Sequence, residues 1–124
     1  MDKLPDRKYD LEERTLRFAK DVIAFVRALP KNVPNIEISK QLVRAAGSVG
    51  ANYIEANEAL GTKDFLMKIR ISRREAKESR YWLHLADGDE QSRAVQTRLI
   101  NESMELTKIF SAILRNSQKM TLRR

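Results

Sequence analysis

The chain has 124 residues, enough for one domain, and its 24 Lys and Arg outnumber its 17 Asp and Glu by seven, a surplus that suggests a polyanionic partner. Apolar residues make up 42% of the sequence, which favours a folded protein, while the absence of cysteine excludes disulfides, thiolate catalysis and cysteine-bound metals. No apolar run approaches the ~20 residues of a membrane span, so we expect a cytoplasmic protein.

The first half of the chain predicts two helices. Helix 1, over about 11–28, follows Asp10 as a candidate N-cap and ends before Pro30. Residues 31–35 form a rigid connector, and helix 2 covers about 36–60. Residues spaced by three and four form the inward faces: Leu11, Thr15, Phe18, Val22, Phe25 and Leu29 in helix 1; Ile38, Leu42, Ala45, Val49, Asn52 and Ala56 in helix 2.

Two glycines lie inside helix 2, at Gly47 and Gly50. Each costs a helix about 1 kcal/mol relative to alanine, so a compensating contact is required. We expect that contact to be the close approach of a neighbouring helix.

The second half predicts helix 3 over about 63–86 and helix 4 over about 90–116, separated by an acidic turn at residues 87–90. A basic C-terminal tail, 117–124, follows. The inward faces are predicted from the same spacing: Phe65, Ile69, Ser72, Ala76, Ser79, Leu83 and Ala86 in helix 3; Val95, Leu99, Glu102, Leu106, Ile109 and Ile113 in helix 4. Four long helices joined by short turns predict an all-α fold, a single antiparallel up-down-up-down four-helix bundle over residues 1–124.

Catalytic residue types are scarce. The chain has one histidine, His84, and no cysteine, so it cannot supply the usual nucleophile and base, and we expect no enzymatic activity and no cofactor. It also lacks the paired Glu-x-x-His motifs of carboxylate-bridged metal sites, and the acidic turn lacks the pattern of a calcium loop, so we expect no metal. General-acid catalysis by Glu55 and Glu78 is the enzymatic alternative.

Several polar residues lie along one edge of helix 2: Arg44, Ser48, Asn52 and Glu55. On helix 3, Glu78 borders the apolar face and Arg74 lies one turn before it. Because a buried carboxylate must be paired or take up a proton, we expect these acids to meet Arg44, Arg74 or main-chain donors across an interface.

A row of cations on helix 3 is the most informative feature of the sequence. Arg70, Arg73, Lys77, Arg80 and His84 recur every three or four residues, so they form one basic stripe on the helix surface, flanked by Lys68 and Arg74. Residues 62–86 hold seven Lys and Arg against three acids, and residues 117–124 hold three cations and no acid. Nucleic-acid phosphates would supply the missing counter-charge, as would acids of a neighbouring subunit.

The middle of the chain resembles a known family. Ser39-Lys40-Gln41-Leu42-Val43-Arg44-Ala45-Ala46-Gly47-Ser48-Val49-Gly50-Ala51-Asn52-Tyr53-Ile54-Glu55-Ala56, Asp64-Phe65, and Glu75-Ala76-Lys77-Glu78-Ser79-Arg80-Tyr81-Trp82-Leu83 carry the likeness. They resemble the four-helix bundle proteins encoded in intervening sequences of bacterial 23S ribosomal RNA genes. The chain is also similar to the accessory protein of diversity-generating retroelements.

The resemblance implies a basic homopentamer that binds nucleic acid, with ribosomal RNA or a reverse transcriptase as a partner. It further implies assembly or packing roles for Arg44, Gly47, Ser48, Asn52, Glu55, Glu78 and Trp82. Gly50 joins this assembly or packing set because of its position in the glycine pair of helix 2.

Two functional hypotheses follow. In the first, the protein self-assembles and binds RNA or DNA electrostatically through helix 3 and the tail. The predicted nucleic-acid contacts are Lys68, Arg70, Arg73, Arg74, Lys77, Arg80, Lys119, Arg123 and Arg124. Because few aromatic residues are expected at the surface, base stacking is not predicted. In the second, the protein is a non-catalytic scaffold whose basic stripe meets acidic protein surfaces.

Overall fold

The computed structural model describes the backbone of residues 7–122 and the side chains of residues 11–117. It confirms the predicted all-α class. The four helices are α1 (Arg7–Ala28), α2 (Val33–Asn57), α3 (Thr62–Leu85) and α4 (Arg93–Leu122). None of the described helices is both long and apolar enough to cross a membrane.

The helices pack in a closed ring of neighbours, in which each contacts the next along the chain and α4 returns to α1. Side-chain pairs give their directions. From α1 to α2, Glu12 meets Asn57 and Thr15 lies against Gly50, so one residue number rises as the other falls. The same inverse order holds where Lys68 meets Glu55 and Arg44 meets Glu78 between α2 and α3. Between α3 and α4, Arg73 meets Ser111 and Leu83 meets Gln96, again in inverse order. Consecutive helices are therefore antiparallel, which gives the up-down-up-down bundle.

The core forms where the inward faces of the four helices meet. All six residues of the face predicted for helix 1 are buried, and Leu42, Val49, Ile69 and Leu83 are fully buried. Small hydroxyl residues enter this core because their donors are satisfied by main-chain carbonyl oxygens. Ser72 Oγ donates to Val49 O at 2.9 Å, and Thr15 Oγ1 donates to Leu11 O at 3.0 Å.

The inward face predicted for helix 4 was correct at Leu99 and Leu106 but one position early at Glu102, Ile109 and Ile113. Ser103 and Phe110 are fully buried, whereas Glu102 and Ile109 lie at the edge of the core. For Glu102 the reason is its charge. Its carboxylate leaves the core and forms two hydrogen bonds with Arg14 of α1, at 2.7 and 2.8 Å.

Several helix ends differ from prediction. α1 begins at Arg7, so Asp10 lies within the helix, because residues 7–9 contain no helix breaker. α2 begins at Val33, inside the predicted connector, since proline is tolerated in a first turn, and Asn32 Oδ1 caps the Asn35 amide at 2.9 Å. α2 ends at Asn57, and α4 extends from Arg93 to Leu122, so much of the predicted tail continues the helix.

The two glycines of α2 have different surroundings. A Cβ on Gly50 would lie 2.8 Å from Oγ1 of Thr15, so the close approach predicted for the glycines exists here, against α1. Gly47 is exposed, and a Cβ there would meet no heavy atom within 4 Å. The predicted compensation therefore holds for Gly50 and fails for Gly47 within the single chain.

Asn35 joins the two turns at one end of the bundle, and sequence inspection missed it. Its side chain is buried and donates to Pro30 O at 3.0 Å and to Asp87 O at 2.9 Å. It also accepts from the Asp87 amide at 3.0 Å. The α1–α2 and α3–α4 connections are thus held together by one amide.

Candidate nucleic-acid interface

The basic stripe on α3 is a solvent-facing surface in the folded chain. Arg70, Lys77, Arg80 and His84 are exposed, and Arg73 is half-buried where its Nη1 donates to Ser111 Oγ of α4 at 3.4 Å. With 3.6 residues per turn and 1.5 Å per residue, the stripe from Arg70 to His84 is about 21 Å long. It runs along the edge of α3 that borders α4.

No acid within the described part of the chain lies within ion-pair distance of the stripe. The ion pairs found there all involve other cations: Arg14–Glu102, Arg44–Glu78, Lys68–Glu55, Arg74–Glu75, Arg98–Asp21 and Lys108–Glu105. Folding therefore pairs many of the chain's acids with cations elsewhere and leaves four positive side chains in a row without counter-charge.

The two flanking cations behave differently from the stripe. Lys68 Nζ lies 2.7 Å from Glu55 Oε1, and this hydrogen bond, reinforced by the charges of Glu55 and Asp64, raises the pKa of Lys68 above its usual value. Arg74 Nη2 lies 3.7 Å from Glu75 Oε2. Both are engaged within the chain, so they are weaker candidates for phosphate contact than the stripe.

The acids of α3 lie on its opposite edge, towards α2. Glu78 pairs with Arg44 at 3.7 Å, and the negative charge of Asp64 helps to raise the pKa of Lys68. Glu75 is nine-tenths buried, and its Oε1 has no hydrogen-bond partner, a burial that the sequence pattern did not reveal. The positive and negative charges of α3 are therefore segregated onto two edges.

One further cation extends the stripe. Lys63 is exposed in the first turn of α3 and lies seven residues before Arg70, on the same face. The seven-residue spacing that links Arg70, Lys77 and His84 could have identified it. Of the predicted tail contacts, the side chain of Lys119 and all of Arg123 and Arg124 lie outside the described residues.

The residues predicted for assembly contact other residues of the same chain, except Gly47, which faces open space. The expected pairing of Glu78 with Arg44 is found, whereas Glu55 pairs with Lys68. Asn52 Nδ2 donates to Ser48 O at 2.9 Å, one turn back on α2. Trp82 is partly buried against the core. These residues join α2 to α3 or stabilise one helix.

The structure does not bring together the two carboxylates of the enzymatic alternative. Glu55 lies beside Lys68 and Glu78 lies ten residues further along α3, which corresponds to about 15 Å of helix. Both are ion-paired. In the described part of the chain, no three His, Asp or Glu side chains are grouped so that they could hold a metal ion.

A second surface lies on the outer side of the α1–α2 pair. Four large apolar side chains are exposed there: Leu16 (55%), Ile23 (38%), Val43 (36%) and Ile54 (49%). Leu16 and Ile23 share one face of α1, and Val43 and Ile54 share a face of α2 with the exposed Gly47. We call this surface the apolar face.

Comparison with known proteins adds two findings. Residues 7–116 match a family model described as 23S rRNA-intervening sequence protein. The chain is also similar to a crystal structure, at 1.70 Å resolution, of a protein with unknown function from the S23 ribosomal protein family of Bacteroides thetaiotaomicron. The two are 31% identical with a TM-score of 0.72, over 83% of this chain and 96% of that one. Comparison with curated proteins gives no match.

Proposed function

Because the chain belongs to the 23S rRNA-intervening sequence protein family, we propose that it is a nucleic-acid-binding bundle that holds RNA or DNA through the basic stripe of α3. One observation carries the proposal. Arg70, Lys77 and Arg80 are exposed in a row with no acid within ion-pair distance in the described structure, while Lys68 and Arg74 beside them are paired. A phosphate backbone is a partner that supplies negative charge at regular intervals.

Binding would be electrostatic and largely independent of sequence. Long, flexible Lys and Arg side chains contact phosphate oxygens and release the cations condensed on the nucleic acid. No catalytic group takes part in this mechanism, so we propose a binding protein rather than an enzyme. Since the chain contains no cysteine, it is suited to the reducing cytoplasm.

Charge reversal on the stripe tests the proposal. The triple substitution Arg70→Glu, Lys77→Glu and Arg80→Glu changes three exposed side chains, so it should preserve helicity and abolish binding to RNA and DNA oligonucleotides. For the unaltered protein, about four phosphate contacts predict a slope near −3 for log affinity against log salt. Fluorescence anisotropy across a salt series measures both quantities.

The matched control carries the same change in net charge on the other side of the bundle. Arg17, Lys20 and Lys31 are exposed on α1 and the turn after it, and α1 lies diagonally opposite α3. Their reversal to Glu should weaken binding only modestly. Equal losses in the two triple variants, or salt-insensitive binding by the unaltered protein, would contradict a site on α3.

Self-association is the second part of the proposal, and the apolar face supports it. Two copies can meet there without net repulsion, because residues 10–29 hold four cations and four acids and residues 30–61 hold three of each. Contact through the basic edge of α3 would bring like charges together. Assembly would also repeat the stripe and raise avidity for a long polyanion.

A non-catalytic scaffold is the alternative function, and the same apolar face favours it. In that case the protein would self-associate and bind no nucleic acid at any salt concentration. The pentameric state, ribosomal RNA and a reverse transcriptase stay predictions from the family resemblance.

A further inference from the structure

Tyr81 differs from every other aromatic side chain that the structure describes, because it alone is exposed, at 58%. It follows Arg80 directly, lies four residues after Lys77 and precedes His84 by three. Residues three and four apart on a helix are surface neighbours, so the tyrosine ring borders the C-terminal half of the basic stripe.

The Tyr81 ring also contacts a partly buried neighbour, Trp82. Its centroid lies 5.0 Å from that of Trp82, with an angle of 80° between the ring planes, and Trp82 packs against the core. An edge-to-face contact occupies the edge of one ring and a single face of the other, so at least one face of Tyr81 stays open.

An open aromatic face beside a row of cations is the combination that single-stranded nucleic acids require. The cations contact phosphates, while an unpaired base stacks on the ring. In a duplex the bases are stacked on one another and their faces are not available.

We propose that the basic stripe takes single-stranded RNA or DNA, with one base stacked on Tyr81. This inference rests on the proposed function and adds the strandedness of the ligand to it. It also revises the sequence-based expectation. Exposed aromatic residues are few among the described residues, as expected. Tyr81, however, lies beside the basic stripe, where a base could stack on it while the phosphates of the same strand contact the cations.

The test compares ligands and replaces the ring. Tyr81→Leu keeps an apolar side chain without a stacking face, Tyr81→Phe keeps the face, and Leu85→Ala removes another exposed apolar side chain one turn further along. The probes are oligouridylate, oligothymidylate and a duplex, each of about twelve units, at one salt concentration. Circular dichroism confirms that each variant is folded.

We expect Tyr81→Leu to weaken binding of both single strands by about 5- to 150-fold, the effect of one lost base–aromatic stack. Its affinity for the duplex and its salt slope should not change, because the phosphate contacts remain. Tyr81→Phe and Leu85→Ala should bind as the unaltered protein does. A loss confined to oligouridylate would identify contact with the 2′-hydroxyl instead of stacking and would overturn the inference.

Trp82 provides a measurement that does not depend on any variant, since it is the chain's single tryptophan and contacts Tyr81. Its emission should change when a single strand binds and stay constant when the duplex binds. The inference fails if Tyr81→Leu weakens the binding of single strands and of the duplex equally, or if it weakens the binding of neither ligand. It also fails if Trp82 emission changes in the same way when either ligand binds. The proposed function fails separately, if charge reversal of Arg70, Lys77 and Arg80 leaves binding intact.

Discussion

At the scale of single residues, the contrast between Gly50 and Gly47 shows what a sequence pattern can and cannot reveal. Both stand inside α2 and look alike in the sequence. Only the packed structure shows that Gly50 lies against Thr15 and that Gly47 faces open space. Helix spacing predicted the buried faces because burial follows from periodicity, whereas the surroundings of one Cβ depend on a second helix.

The two glycines should therefore respond oppositely to alanine. In Gly50→Ala the new Cβ would be 2.8 Å from Thr15 Oγ1, and we expect a loss of about 1–3 kcal/mol in the free energy of unfolding. In Gly47→Ala nothing obstructs the methyl group, so higher helix propensity should add up to about 1 kcal/mol. Urea unfolding in an Ile23→Glu background, which weakens self-association, measures both. Equal effects of the two substitutions on the free energy of unfolding would contradict a close contact at Gly50 and open space at Gly47.

At the scale of the helices, the contact between α1 and α4 is the least extensive of the four neighbouring pairs. No turn connects these helices, and two ion pairs link them, Arg14–Glu102 and Arg98–Asp21. The sequence placed Glu102 in the core because it lies in line with Leu99 and Leu106. Its position at the edge could not be derived from helix 4 alone, since the partner, Arg14, belongs to another element.

The Arg14–Glu102 pair should contribute measurable coupling between α1 and α4. Its geometry is bidentate, and its two side chains are 37% and 26% exposed. A double-mutant cycle with Arg14→Ala and Glu102→Ala, followed by urea unfolding, should give a coupling of roughly 1 kcal/mol. The more exposed Lys108–Glu105 pair is the control and should give a few tenths of a kcal/mol. Similar coupling energies for the two pairs would contradict a stronger contribution of the Arg14–Glu102 pair to the contact between α1 and α4.

At the scale of the whole molecule, the net charge of +7 is distributed unevenly. The sequence showed that the surplus lies on helix 3 and the C-terminal residues, and it predicted the bundle correctly. It could not show whether acids from other helices cover the stripe, because that depends on how the helices pack. In the structure, α2 supplies Glu55 to Lys68, while no described acid lies within ion-pair distance of Arg70, Lys77 or Arg80.

The apolar face belongs to this scale too, and it gives a prediction about assembly. Ile23→Glu and Val43→Glu place charges on the face without entering the core, so the chain should stay folded and lose self-association. Multi-angle light scattering across protein concentrations measures the mass. Leu60→Glu, in the turn after α2 and fully exposed, is the control and should assemble normally. If the unaltered protein has the mass of a single chain at all concentrations, assembly through this face is ruled out.

The Asn35 side chain has a consequence for how the bundle opens. Asn35 belongs to the α1–α2 hairpin and bonds to Asp87 of the α3–α4 connection, so the two helical hairpins cannot separate at that end without breaking two hydrogen bonds. Partial opening should then start at the opposite end, between α1 and α4, which no turn connects and which contact each other least. Hydrogen–deuterium exchange should therefore be faster at that end of the bundle than at the end that contains Asn35. The Asp87 amide, although it lies outside any helix, should exchange as slowly as an amide in a helix interior.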